Sequence, residues 1–169
     1  MVKTFIKSAA AGWLVLALVG PSLAVAQNVA SSAIQQTNEA GIVTVKSAYS
    51  ISETIERLKK DIAGKGIKFF SEIDQSKLAA DAGIRIRPST VLMFGNPPLG
   101  TLFIAANPLA GLDWPVRVLV FEDDKGDVWA AYTDFGYVAR RHQIKDMDSE
   151  PFRKASGVIA SIPSSVAEK

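Results

Sequence analysis

The sequence contains no cysteine among its 169 residues. This absence excludes thiol redox chemistry, zinc sites built on thiolates and haem attached through cysteine, because each of these needs a cysteine sulfur. It also excludes a lipid anchor carried on an N-terminal cysteine. If a chain of this size is exported without a disulfide, its stability depends on its hydrophobic core alone.

Histidine is also scarce, since His142 is the only one. A metal site needs several ligands at suitable spacing, and here the others would have to be carboxylate, amide or thioether groups. The sequence has no Gly-rich phosphate loop, no G-x-S-x-G elbow and no H-E-x-x-H motif. We therefore predict no metal site, no cofactor and no set of catalytic residues.

The longest uncharged apolar run stands near the N-terminus. Lys3 and Lys7 precede a run over Ala9–Val19, a Gly-Pro pair breaks it, and Ala24–Ala26 matches the small-x-small site of signal peptidase. The run has about half of the roughly 20 residues that a spanning helix needs. We predict a cleavable signal peptide over residues 1–26, cut at its C-terminal end. The mature protein is then periplasmic or secreted and has no membrane span.

The net charge of the chain lies in this predicted signal peptide. Removing Lys3 and Lys7 from the 19 basic residues leaves 17, which equals the number of acidic residues. The mature chain is formally neutral and has no basic stripe, so we predict that it does not bind nucleic acid.

The rest of the chain divides by composition into a flexible leader over 27–40, one domain over 41–147 and a helical tail over 148–169. The clearest element is a helix that begins after Ser50, which forms a capping box with Glu53. Its apolar residues recur at helical spacing: Ile51, Ile55, Leu58 and Ile62.

Strand and helix patterns alternate along the domain. We predict strands over 41–49, 67–73, 90–94, 116–121 and 128–132, with the last two forming a hairpin, and helices over 51–62, 74–82, 102–106, 134–142 and 149–162. The unbroken apolar run Thr90–Phe94 is typical of a strand covered on both faces. The predicted fold class is α+β: a single compact domain with one sheet of about five strands covered by helices, in the order βαβαβ(α)ββαα.

Several longer motifs carry a resemblance to a known family. In chain order they are Glu72–Asp74, Arg87–Thr90, Phe94–Pro97, Ala106–Pro115, Val118–Asp123 and Tyr137–His142. The stretch from Lys46 to Met147 resembles the family catalogued as domain of unknown function 302. The resemblance implies a compact α/β domain that pairs with itself, and it implies no reaction and no catalytic residues. Trp114 stands where the family has an aliphatic residue, so a pocket at that point has a different shape here.

Five residues are candidates for ligand binding: Asn96, Asn107, Asp113, Trp114 and His142. Each asparagine precedes a proline after an apolar element, where it caps a turn or presents its amide to a ligand. A carboxylate beside an indole suits a cationic or planar ligand, whereas a loop tryptophan also serves as a lid on the core. The histidine ends a predicted helix, where it interacts with the helix dipole, binds a ligand or acts as a base.

These patterns leave three hypotheses for function. The first is a non-enzymatic module of the bacterial envelope that binds a small ligand or another envelope protein at the loops around Asn96, Asn107 and Asp113. The second is an enzyme in which His142 is the base and an acidic residue orients it. The third is a structural homo-oligomeric subunit, for example a homodimer, with the last helix as its contact. Because no nucleophile–base pair is visible, we favour the first.

Overall fold

Six strands make up one antiparallel sheet in the computed structural model, which describes residues 35–145 and 149–167. The strands are β1 Gln35–Thr37, β2 Ile42–Lys46, β3 Lys68–Asp74, β4 Ser89–Gly95, β5 Val116–Glu122 and β6 Val128–Thr133. Across the sheet their order is β1-β2-β6-β5-β4-β3, and every neighbouring pair is antiparallel. β1 and β3 are therefore the edge strands.

Helices connect and follow these strands. They are α1 Ile51–Gly64, α2 Gln75–Asp81, α3 Pro97–Ala106, α4 Phe135–Arg141 and α5 Glu150–Ser164, with a 3₁₀ helix at Pro108–Asp113. The predicted α+β class, with one sheet covered by helices, is confirmed.

The sheet buries one face under helices. Along β4, the side chains of Leu92 and Phe94 are fully buried, whereas those of Val91 and Met93 between them are only partly buried. Helices α1, α3 and α5 add their apolar residues to the same core cluster as the buried strand positions. The prediction that 90–94 is covered on both faces is wrong, because antiparallel sheets commonly pack on one face only.

The alternate positions of the strands form the opposite face of the sheet, which we call the open face. Its central apolar residues stand outside the core cluster: Ile42, Val91, Leu119 and Ala131. Arg117 interrupts this apolar surface on β5.

Helix α5 belongs to the core of the domain. The ring of Phe103 on α3 meets Phe135 edge-on at 4.9 Å between centroids and Phe152 on α5 at 4.7 Å. Ile159 and Ile162 of α5 are also buried. Full burial of such side chains contributes about 1.5–3 kcal/mol each, so the predicted tail is held firmly on its own domain.

Helix α1 begins where it was predicted but with only half of its capping box, whereas α3 begins earlier than predicted. Ser50 caps α1 by accepting a hydrogen bond from the Glu53 amide at 3.3 Å, but the Glu53 carboxylate accepts from Arg57 instead of reaching back. Helix α3 begins at Pro97 rather than at residue 102, because proline suits the first helical position and Asn96 caps it.

The predicted leader contains part of the sheet. Gln35–Thr37, near the end of the predicted leader, pairs with Val43–Val45 and adds an edge strand to the sheet. The predicted signal peptide and its cleavage site lie outside the described residues. Within the described ranges, no helix has the length and hydropathy needed to cross a membrane.

Gly100 lets helix α3 pack closely against the side chain of Trp114, in the loop before β5. A Cβ placed on Gly100 would lie 2.0 Å from Nε1 of Trp114, which is far inside contact distance. Gly157 on α5 is its natural control, because a Cβ there meets nothing within 4 Å.

Gly100→Ala should destabilise the protein by about 1–3 kcal/mol, because the added methyl overpacks against the indole. Gly157→Ala should instead stabilise it by about 0.5–1 kcal/mol, since alanine loses less backbone entropy in a helix. Urea unfolding of both variants measures the difference. Equal stability of Gly100→Ala and the parent chain would contradict this packing.

Candidate functional site

Asp113 ends the 3₁₀ helix that follows α3. Asn107 starts this helix, since its Oδ1 accepts a hydrogen bond from the Leu109 amide at 3.0 Å. The short helix turns the chain so that the Asp113 side chain is only 7 % exposed. A buried carboxylate is costly unless it is paired and hydrogen-bonded, so its partners define the local structure.

His142 is the closest partner of this carboxylate. Nε2 of His142 lies 2.6 Å from Oδ2 of Asp113, and the histidine side chain is 6 % exposed. Asn107 joins the pair, because its Nδ2 donates to the backbone oxygen of His142 at 2.7 Å. The structure thus brings together three of the five predicted site residues. Asn107 and Asp113 lie 35 and 29 positions from His142 in sequence.

Two arginines converge on the other oxygen of Asp113. Nη1 of Arg141 lies 3.2 Å from Oδ1, and Nη2 of Arg117 lies 3.7 Å from the same atom. Both arginine side chains are about half exposed. We call Asp113, Arg117, Arg141 and His142 the Asp113 cluster. The two guanidinium groups and the one carboxylate together give the Asp113 cluster a net charge of +1, with His142 left out of the count.

Sequence reasoning missed both arginines as site residues. Arg117 carries a weak signal, because it is the one charged residue inside the apolar stretch Val116–Phe121. Its position on the strand places it on the solvent-accessible face. Nothing in the sequence links it to Asp113 or to Arg141.

Asn96 lies away from this cluster. It is the N-cap of α3, where its side chain accepts from the Leu99 amide, and Asn107 stands at the other end of the same helix. The two asparagines are separated by eleven positions, which is about 16 Å at 1.5 Å per residue. They therefore do not line one small pocket together.

Trp114 packs as a lid on the core. A Cβ on Gly95 or Gly100 would touch its indole, and the ring of Phe70 meets it edge-on at 5.7 Å between centroids. Its Nε1 is buried without a hydrogen-bond partner. Because Trp114 follows Asp113 but points to the core, the two side chains do not form a joint cation site.

Two hollows adjoin the Asp113 cluster. A cavity of about 20 Å³ lies against Asp113 and Arg117, enough for one water molecule. A groove of about 230 Å³ runs over the open face and shares Arg117 and Thr133 with that cavity. Its floor is apolar: Ile42, Val91, Leu119 and Ala131.

The acidic turn after β5 is a hairpin turn. Asp123 accepts hydrogen bonds from the amides of Lys125 and Asp127 and from Nε1 of Trp129, each at 2.9 Å. The Trp129 bond, followed by these amides, holds the pKa of Asp123 below its usual value of 3.8. In the described part of the chain, no three His, Asp or Glu side chains come together to hold a metal ion.

The architecture defines the class of protein: a small α+β domain whose single antiparallel sheet has helices on one face. The sequence profile of the family "Domain of unknown function DUF302" matches residues 43–162. The chain belongs to this family, and the match reaches through most of α5.

A solved structure shares this fold. It is the crystal structure of an uncharacterized conserved DUF302 protein from Bacillus stearothermophilus, which is 17% identical with a TM-score of 0.66. The similarity covers 75% of this chain and 98% of that one. At this level of identity it supports the fold alone.

Curated relatives carry a functional name. Two proteins named fluoride-specific ion channel FluC 1, from Brucella suis biovar 1 (strain 1330) and Brucella abortus biovar 1 (strain 9-941), are each 37% identical over 106 residues. That stretch is 63% of this chain but 42% and 39% of those proteins. The chain therefore spans about two fifths of their length.

Asp113→Asn should lower the free energy of unfolding by about 1.5–3 kcal/mol, because the buried hydrogen bonds lose their charged acceptor. Asp124→Asn is the matched control: its carboxylate pairs with Arg87 but is fully exposed, so no measurable change is expected. Urea unfolding compares the two. If both variants were as stable as the parent chain, Asp113 would not organise the cluster.

Proposed function

We propose that this chain is a non-enzymatic binding module of the bacterial envelope, and that it binds an anionic ligand at the Asp113 cluster. The observation that carries the proposal is the convergence of Arg117 and Arg141 on one buried carboxylate that already bonds to His142. The carboxylate fixes the arginines in place but cannot neutralise both of them.

The geometry suits an anion. Guanidinium groups present several N–H donors in a planar fork that matches carboxylates and phosphates. Arg117 and Arg141 each expose about half of their side-chain surface to solvent, so neither guanidinium group is enclosed by the domain. Attachment to Asp113 lowers the entropy that the two side chains lose on binding.

The curated relatives support an anion as well. Both are named as channels specific for fluoride, which is an anion, and the stretch similar to this chain is a minor part of each protein. We infer from these names that the ligand of this chain is also an anion.

The enzyme hypothesis has less support. The bond between Asp113 and His142 resembles an acid that orients a base, but the histidine side chain is 6 % exposed and its Nε2 already contacts the carboxylate. The ring is therefore enclosed rather than presented to a substrate.

The structural hypothesis placed the contact between subunits on the last helix. The apolar face of α5 packs on its own domain through Phe152, Ala155 and Ile159, which leaves that face unavailable to a partner. Self-association through another surface stays a prediction.

Arg117→Ala should weaken the binding of acetate, phosphate or fluoride about tenfold or more, because a hydrogen-bonded charge is removed from the site. Chemical-shift titration by NMR at constant ionic strength measures the affinity. Arg85→Ala, which removes an exposed arginine elsewhere, is the control and should bind like the parent chain. If Arg117→Ala and the parent chain bound these anions equally, the proposal would fail.

A further inference from the structure

The groove on the open face begins at the Asp113 cluster and continues over apolar side chains. The register of the sheet sets this layout: Val91 pairs with Leu119, which pairs with Ala131, so these three residues form a row across β4, β5 and β6. Arg117 stands two residues before Leu119 on the same strand and the same face. The site thus offers a cation next to an apolar floor.

From this layout we propose that the groove binds an unbranched monocarboxylic acid of medium chain length. The carboxylate lies on Arg117 and the hydrocarbon chain lies over Val91, Leu119 and Ala131. The inference rests on the proposed anion-binding function and adds the chemical class of the ligand.

Charge favours a single negative group. Arg117 and Arg141 against Asp113 leave one positive charge, which one carboxylate balances. A planar carboxylate also matches the guanidinium fork in two parallel hydrogen bonds. The hydroxyl-bearing Thr133 lines the groove beside Arg117 and supplies a second polar group at this end.

The dimensions favour a narrow chain. The groove of about 230 Å³ is smaller than the roughly 300–1,000 Å³ of clefts that hold drug-sized ligands. Along β5 the groove extends from Arg117 to Leu119, a rise of about 7 Å, and Val91 and Ala131 flank Leu119 on the neighbouring strands. A single alkyl chain is narrow enough to lie on this apolar floor.

A chain-length series on the full protein tests the proposal. Acetate, butanoate, hexanoate and octanoate are titrated by NMR, with octanol as the uncharged analogue. Affinity should rise about twofold for each added methylene, because an open groove removes about half of the methylene surface from water. Octanol should bind at least about tenfold more weakly than octanoate, since the charged hydrogen bonds are missing.

Variants separate the two parts of the site. Leu119→Asn should abolish the chain-length dependence, and the milder Val91→Thr should reduce it if Leu119→Asn does not fold. Leu78→Asn is the control, because Leu78 is an exposed leucine on α2, outside the groove.

The outcomes distinguish this inference from the proposed function. If octanoate bound no more tightly than acetate while Arg117→Ala still lost acetate, the ligand class would be wrong and the anion site would stand. If carboxylates did not bind but phosphate or fluoride did, the ligand class would be wrong and the anion site would stand; if none of these anions bound, both would fail. If vesicles of phosphatidylglycerol bound and octanoate did not compete, the occupant would be a membrane surface, and the inference would be overturned.

Discussion

The bond between Asp113 and His142 is the contact on which the rest of the candidate site depends. It joins the 3₁₀ helix after α3 to the end of α4, two segments that are distant in sequence. Asn107 reinforces the junction by bonding to the backbone of His142. With the carboxylate fixed in this way, Arg117 and Arg141 have a common anchor and face solvent together.

The second constraint is the one-sided packing of the sheet. Antiparallel sheets commonly pack on one face only, and here a single layer of helices buries one set of alternate residues. On the other face Ile42, Val91 and Leu119 are partly exposed, although Ala131 is buried. The open face consequently carries apolar residues next to Arg117, and these residues stand outside the core cluster. A groove with an arginine at one end and an apolar floor therefore lies on this face, opposite the helices.

Much of the fold was predictable because its signals are local. The spacing of Leu58 and Ile62 predicted α1, and Gly126, with a positive φ of 82°, ends the acidic turn between β5 and β6 as a hairpin requires. The apolar run 90–94 led to the wrong prediction that both faces of its strand are covered, because an apolar run does not show how many faces of a sheet are buried. Helix α3 begins five residues before its predicted start, because Asn96 caps it and Pro97 fits the first helical position.

The candidate site was predictable only in part. Asn107, Asp113 and His142 stood out as polar residues in loops or at a helix end, but their meeting depends on how α4 packs against the 3₁₀ helix. Asn96 and Asn107 are far apart because α3 spans Pro97–Ala106 and is longer than the predicted helix over 102–106. Arg117 and Arg141 gained their significance only from tertiary structure, because their shared partner is a carboxylate from another segment.

Native mass spectrometry of the protein purified gently from its native host tests the anion-binding role most directly. The expected result is an added mass that is released on denaturation and identified as a carboxylic acid, present in the parent chain and absent from Arg117→Ala. A parent chain that carried a metal ion or a cationic ligand at this site, or the same added mass in both proteins, would contradict it.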